Sequence, residues 1–152
     1  MRLQLIPSDD IEHLLSLLRE ADEDPARIRA ALTHPANTPY LFQVDEQVVG
    51  AALMHWNTHE SELIYIVVDA AHRGQGYGQT ALKAIFAVGQ ERGVEAVIVG
   101  TATTSVENII FYQKCGFRMD SIRKNFFDYF PVPVYEHGIE MRDMVVFRRP
   151  LR

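Results

Sequence analysis

Three glycines at alternate positions, Gly74, Gly76 and Gly78, separate two apolar patterns of different period. Before them, residues 62–68 (E-L-I-Y-I-V-V) read as a strand; after them, Leu82, Ile85, Phe86 and Gly89 recur at helical spacing. A strand that passes through such a loop straight into a helix gathers backbone N–H groups at one point, because glycine lacks the Cβ that blocks tight turns. The helix start adds its own unpaired N–H groups and the positive end of its dipole. Together they make an anion site, most naturally for phosphate. Arg73 stands at its edge, either as an anion contact or as plain surface charge. The spacing G-x-G-x-G is neither the G-x-G-x-x-G of a dinucleotide-binding turn nor the G-x-x-x-x-G-K-S/T of a P-loop.

The rest of the chain is punctuated just as clearly. Leu3 and Leu5 alternate with polar neighbours and predict a strand over 1–6. Ser8, Asp9 and Asp10 offer an N-cap to a helix whose face is Ile11, Leu14, Leu15 and Leu18, ending near Ala21. Asp24-Pro25 opens a second short helix, with Ile28, Ala31 and Leu32 inward, and 34–39 reads as a loop. Strands over 40–44 and 48–56 flank a turn at 45–47; the second is apolar on both faces, as a central strand is. Gly93 ends the helix that follows the glycine loop. Then come a buried strand at 95–100, a polar patch at 101–105 and a helix over 106–115 stopped by Gly116. A strand from Phe117, a Pro- and aromatic-rich stretch at 126–137 and a last strand at 139–149 complete the chain. The order β-α-α-β-β-β-α-β-α-β-β predicts one α+β domain over 1–152, with a mixed, mostly antiparallel sheet flanked by helices.

Composition narrows the function classes. The net charge is −5 and there is no basic run, so nucleic-acid binding has no support. No apolar run nears the ~20 residues that span a bilayer, and the N-terminus turns acidic too soon for a signal peptide. The single cysteine, Cys115, excludes an internal disulfide and fits a reducing, cytoplasmic setting. It reads as a small buried residue rather than a nucleophile. His55 and His59 lack a third ligand, so no metal is expected. The acidic balance favours a cationic acceptor over an anionic one.

Three motifs carry a family resemblance. R-x-x-G-x-G, from Arg73 to Gly78 inside V-D-A-A-H-R-G-Q-G-Y-G, resembles the coenzyme A loop Q/R-x-x-G-x-G/A of the GCN5-related N-acetyltransferases, the GNAT superfamily; Ala70 stands where that family often has proline. F-Y-Q-K-C-G-F at 111–117 is similar to its L/F-Y-x-x-x-G-F. The tail resembles a bacterial subgroup at Phe126, Phe127, Glu136, Gly138, Ile139, Arg142, Asp143 and Met144, with Phe130 at the subgroup's Tyr position. The element order agrees with the GNAT fold over almost the whole chain.

The resemblance implies an acetyl-CoA-dependent N-acetyltransferase that attacks directly in a ternary complex. It implies that Tyr112 serves the departing thiolate as general acid, which suits a phenol near the sulfur. The pantetheine is expected along the backbone of Ile66, Val67 and Val68, where an N–H can also stabilise an oxyanion. The pyrophosphate is expected on Arg73, Gly74, Gln75, Gly76, Tyr77, Gly78 and Gln79. Where many members place an Asn contacting the pantetheine, this chain has Ser105, as contact or helix N-cap, or both; Thr103 replaces the subgroup's Asn, and Asn108 falls too late in the helix to match. Glu62 is the candidate base, with a water relay as the alternative; Gly100 stands where another common Glu falls. Glu136 and Asp143 are candidates for binding a cationic acceptor, and Arg142 for pairing with Asp143. The acceptor is expected to be a small-molecule or peptide amine, and a homodimer through the last strand is possible. An O-acyltransferase and a non-catalytic acyl-CoA sensor are the alternatives.

Overall fold

In chain order, the computed structural model, which describes residues 2–152, runs β1 (Leu3–Pro7), α1 (Ile11–Leu17), α2 (Pro25–Thr33), β2 (Asn37–Val44), β3 (Gln47–His55), β4 (Glu60–Val68), α3 (Tyr77–Glu91), β5 (Ala96–Ala102), α4 (Val106–Lys114), β6 (Arg118–Arg123), β7 (Tyr135–Glu136), β8 (Ile139–Glu140) and β9 (Met144–Pro150). Met1, part of the expected first strand, lies outside the described residues. Short 3-10 turns stand at Arg19–Ala21, Ala70–His72 and Phe126–Tyr129. Local chemistry sets several of these boundaries. The Asp10 carboxylate accepts from the His13 N–H (3.2 Å), and that of Asp24 from the Ala26 N–H (3.0 Å). Val44 sits opposite Gln47, so Asp45 and Glu46 alone make the hairpin turn, both left-handed (φ 49° and 67°), as a type I′ turn requires.

The fold is α+β, and the sheet order is β1-β2-β3-β4-β5-β9-β6, antiparallel throughout except β4 with β5. α3 buries Ala81, Leu82, Ile85, Phe86 and Gly89 against one face, with Phe42, Phe117 and Phe147. Leu14, Leu18, Ile28 and Leu32 cover the other, over Leu53 and Val67.

Three expectations are corrected. β2 begins at Asn37, inside the expected loop, and takes in Pro39. The Pro39 carbonyl accepts from the Ser8 N–H (3.2 Å), so the N–H that proline lacks falls beyond the end of β1. The last strand starts only at Met144. His137 and Gly138, both left-handed, fold residues 135–140 into a separate β7–β8 hairpin. Finally, β9 is paired on both sides, so the last strand offers no free sheet edge to a partner; the edge strands are β1 and β6.

The site depends on one irregularity. β4 and β5 pair only from Glu60–Leu63 to Ala96–Val99. A register shift against β3, where Leu53 faces Tyr65 and Met54 faces Leu63, leaves Ile64 as the extra residue of a bulge. Beyond it β4 follows β3 to Val68 while β5 follows β9 to Ala102. The facing edges of 64–68 and 100–102 are therefore unpaired with each other, and a wedge opens in the sheet.

Candidate active site

The wedge leads into a cleft of about 850 Å³. One wall is the free edge of β4, Ile64 to Val68; the floor carries Gly100, Thr101, Asn108, Phe111 and Tyr112; the far end is the glycine loop and the start of α3. Two glycines there matter for different reasons. Gly76 is the N-cap of α3 in the left-handed region (φ 79°), which a side chain would strain. A Cβ on Gly78 would lie 3.0 Å from the Phe111 ring, so a side chain there pushes that ring back by a few tenths of an ångström. No side chain caps the N–H groups at the start of α3, and its first intrahelical backbone acceptor, Gly76 O, takes both the N–H (3.1 Å) and the hydroxyl (3.0 Å) of Thr80. The N–H groups of Tyr77, Gly78 and Gln79 thus stay free at the cleft, which suits a diphosphate.

Tyr112 comes off α4 into the cleft floor. Its ring is 6% exposed and wedged among Phe111, Phe117 and Phe147, with centroids 5.4–5.8 Å away. The hydroxyl has no hydrogen-bond partner among the described residues, yet none of their fully buried polar side-chain atoms lacks one. The oxygen therefore opens onto the cleft. Burial first, and the neighbouring Cys115 second, push its pKa above the ordinary 10.0.

Behind the wedge lies a second cavity of about 340 Å³. It shares Glu20, Ala21, Ile64, Tyr65, Gly100, Thr101 and Asn108 with the first, so the two meet where the strands part. Its walls are the 3-10 turn after α1, the start of α2, the base of β4 and an aromatic lid of Phe126, Phe127, Tyr129 and Phe130. The lid rings stack on one another at 4.5–6.2 Å. Arg27 lies 3.8 Å over the Tyr129 ring and donates to Asp22 (3.3 Å), which also accepts from the Tyr65 hydroxyl (3.1 Å). Burial, then the Asp22 charge and hydrogen bond, raise the Tyr65 pKa.

The expected site residues separate into three groups. Ile66, Val67, Val68, Arg73, Gly74, Gly76, Tyr77, Gly78, Gln79 and Tyr112 line the first cavity, and Glu62, Ser105 and Glu136 the second. Gln75, Thr103 and Asp143 line neither. Gln75 points to solvent. Thr103 is exposed and gives its N–H to the Asp143 carbonyl (3.0 Å), while the Asp143 carboxylate holds the Asn125 N–H (2.9 Å) of a left-handed turn. Arg142 pairs with Glu140 (3.5 Å), not with Asp143. Ser105 is the N-cap residue of α4, but its hydroxyl caps nothing; it donates to Glu136 (2.5 Å), which also accepts from Thr104 (3.0 Å). Arg73 is engaged too, with Nε on the Val68 carbonyl (2.9 Å) and a terminal nitrogen on Glu20.

Asn108 was passed over in the sequence and stands at the junction of the cavities, donating to Thr101 Oγ1 (3.2 Å). Its signal was available: Asn108 and Tyr112 are i, i+4 and share one helix face. Tyr65, Glu23 and Arg27 are also site residues, and only tertiary contact reveals them. No group of three or more His, Cys, Asp or Glu fit to hold a metal occurs among the described residues. Nor, among them, is any helix long and apolar enough to cross a membrane.

A parallel strand pair that diverges over a glycine-loop anion site, with a buried phenol at the cleft floor, suits a phosphate-bearing ligand laid along a strand edge. The chain belongs to the acetyltransferase (GNAT) family, whose model matches residues 8–117. An uncharacterized N-acetyltransferase of Bacillus subtilis, YvbK, is 31% identical over 85 residues, 55% of each protein; the match thus spans about half of that relative's length. A GNAT acetyltransferase from Elizabethkingia anophelis, solved with acetyl-CoA bound, superposes with a TM-score of 0.87 at 29% identity, covering 98% of both chains. An IAA acetyltransferase from Bacillus cereus superposes with a TM-score of 0.84 at 25% identity, covering 97% of this chain and 99% of its own.

Proposed function

We propose that the protein transfers the acetyl group of acetyl-CoA to the nitrogen of an amine, by direct attack with donor and acceptor bound together. One observation carries this reading: two cavities of opposite chemistry meet at the strand split, with Tyr112 on the donor side and Glu62 on the other. The acceptor-side cavity is lined by Glu20, Asp22, Glu23, Glu62 and Glu136 against the single cation Arg27, which favours an ammonium over a hydroxyl or carboxylate acceptor.

Each residue then has a task. The free N–H groups at the start of α3 hold the diphosphate, and the unpaired β4 edge around Ile66–Val68 aligns the pantetheine as an added strand would. The acyl carbonyl comes to rest at the junction, where a β4 N–H meets the charge that grows on its oxygen. Glu62, without a hydrogen bond or ion pair among the described residues, takes the proton that keeps an ammonium from attacking. The nitrogen–carbon bond forms, the carbon–sulfur bond breaks as the Tyr112 hydroxyl donates a hydrogen bond to the departing thiolate, and the second proton of the nitrogen passes to solvent as the amide forms. A cytoplasmic setting, supported by the single cysteine, and a homodimer through the exposed β6 edge belong to the same proposal; light scattering in solution tests the dimer.

The test is calorimetric titration with acetyl-CoA, followed by a thiol-release screen over pooled amines and alcohols. Binding with release for amines is expected. Release only with alcohols reassigns the acceptor, and binding without any release makes the chain a sensor. Absence of binding removes the donor site.

A further inference from the structure

Two polar side chains at the junction of the cavities are already tied. The Tyr65 hydroxyl is on Asp22 (3.1 Å), and Thr101 Oγ1 accepts from the Asn108 amide (3.2 Å). Gly100 also lines both cavities and has no side chain of its own. Its place is taken from the neighbouring strand. Gly100 lies opposite Val146 and Ala102 opposite Met144, so Met144 is the diagonal neighbour of Gly100 on one face of the sheet. Val145 and Phe147, which alternate with them, face α3; Met144 therefore stands on the opposite face, where it lines the acceptor cavity. A Cβ on Gly100 would meet Met144 Cε at 2.9 Å and Cγ at 3.0 Å, with Sδ nearer still. The thioether thus sits in the notch that the missing Cβ leaves.

We infer that Met144 is the end wall of the acyl site and sets the length of the acyl group transferred, admitting acetyl and turning back longer chains. The inference rests on the reading that brings the acyl carbonyl to this junction. There an acetyl methyl ends over Gly100, and further methylenes run into the Met144 thioether. Methionine is unbranched and ordinarily yields to such a push. Here the Gly100 notch seats its sulfur, and leaving the notch forfeits the dispersion contacts made there. Shortening the side chain to alanine removes Cγ, Sδ and Cε, which is room for the added carbons of a butanoyl group. Met144 carries no proton and touches no leaving group, so its part is specificity and not catalysis.

The test compares acetyl-CoA with butanoyl-CoA in thiol-release kinetics, at a fixed concentration of an amine from the screen. In the unaltered protein kcat/KM should favour acetyl-CoA by about tenfold or more, the scale on which an apolar pocket resolves added methylenes. Met144→Ala should cut that preference by about tenfold, through faster butanoyl transfer. Met144→Leu, of similar volume, should keep it within about threefold. A merely structural role would slow both thioesters alike and leave their ratio unmoved. A ratio unchanged in Met144→Ala, or no preference in the unaltered protein, overturns the inference while leaving amine acetylation intact. Should no amine be acetylated, the proposed reaction fails. The inference is then decided by titrating both thioesters onto the unaltered protein and Met144→Ala: a relative gain in butanoyl-CoA affinity in the variant upholds it, and an unchanged affinity ratio overturns it.

Discussion

At Tyr112 the burial that makes the phenol a poor acid also makes it a dependable donor. A thiol has an ordinary pKa of about 8.5, below even an unperturbed phenol, so full transfer of the proton is uphill and, in the proposed reaction, the hydroxyl would act by hydrogen-bonding to the leaving sulfur. A hydrogen bond to a charged group is worth roughly 1.5–3 kcal/mol, so Tyr112→Phe should slow turnover by about 10–100-fold and leave coenzyme A affinity within about twofold. Turnover unchanged in that variant would remove Tyr112 from the reaction. The pH consequence has a definite sign. The folded pKa is raised above 10.0, so the stabilisation from keeping this phenol neutral is complete below pH 10 and is lost as pH climbs toward the folded value. The melting temperature should therefore decline above pH 10, and decline less in Tyr112→Phe. At this scale the motif spacing marked Tyr112 as a candidate, whereas Asn108 needed the helix face and Tyr65 needed the fold. Tyr65 reads as one apolar strand residue among several until Asp22, 43 positions away, accepts its hydroxyl.

The strand–loop–helix unit was legible because its determinants are local: glycine spacing, an apolar strand and a 3.6-residue period within some thirty positions. What was hidden is the contact that Gly78 makes with Phe111. In Gly78→Ala the new Cβ meets Phe111 at 3.0–3.1 Å, and the ring, which lies beside Tyr112 at the cleft floor, must shift. Coenzyme A should bind about tenfold more weakly, a loss of ~1.4 kcal/mol, with a melting temperature lowered by only a few degrees. Calorimetry on the variant checks both. The tail was the least legible element. Its spacing marked Glu136 and Asp143 alike, but the His137-Gly138 turn carries Glu136 into the cavity and leaves Asp143 to hold Asn125. Two acidic residues seven apart look equivalent until a hairpin forms between them.

On the scale of the whole molecule, the donor cleft draws on the turn after α1 and on β4, α3, α4 and β5, so a ligand that fills it ties together elements from residue 20 to residue 112. Acetyl-CoA at about one hundred times its dissociation constant should add ~2.7 kcal/mol of stability, or roughly 5–10 °C in melting temperature for a chain of this size. A scan with and without the ligand measures it, and no shift at saturation would contradict a donor site built from these elements. The sequence by itself determined the α+β class and the run of elements as far as β6, and it marked the candidate anion loop and phenol, because short-range periodicity, turn residues and motif spacing act within a few residues of one another. Only the tertiary structure decided where β4 leaves β5, which carboxylates the protein satisfies internally, and that an aromatic lid closes over α2. Those depend on which segments lie side by side after folding, and hydrogen bonds and ring contacts between residues tens of positions apart leave no periodic trace in the chain.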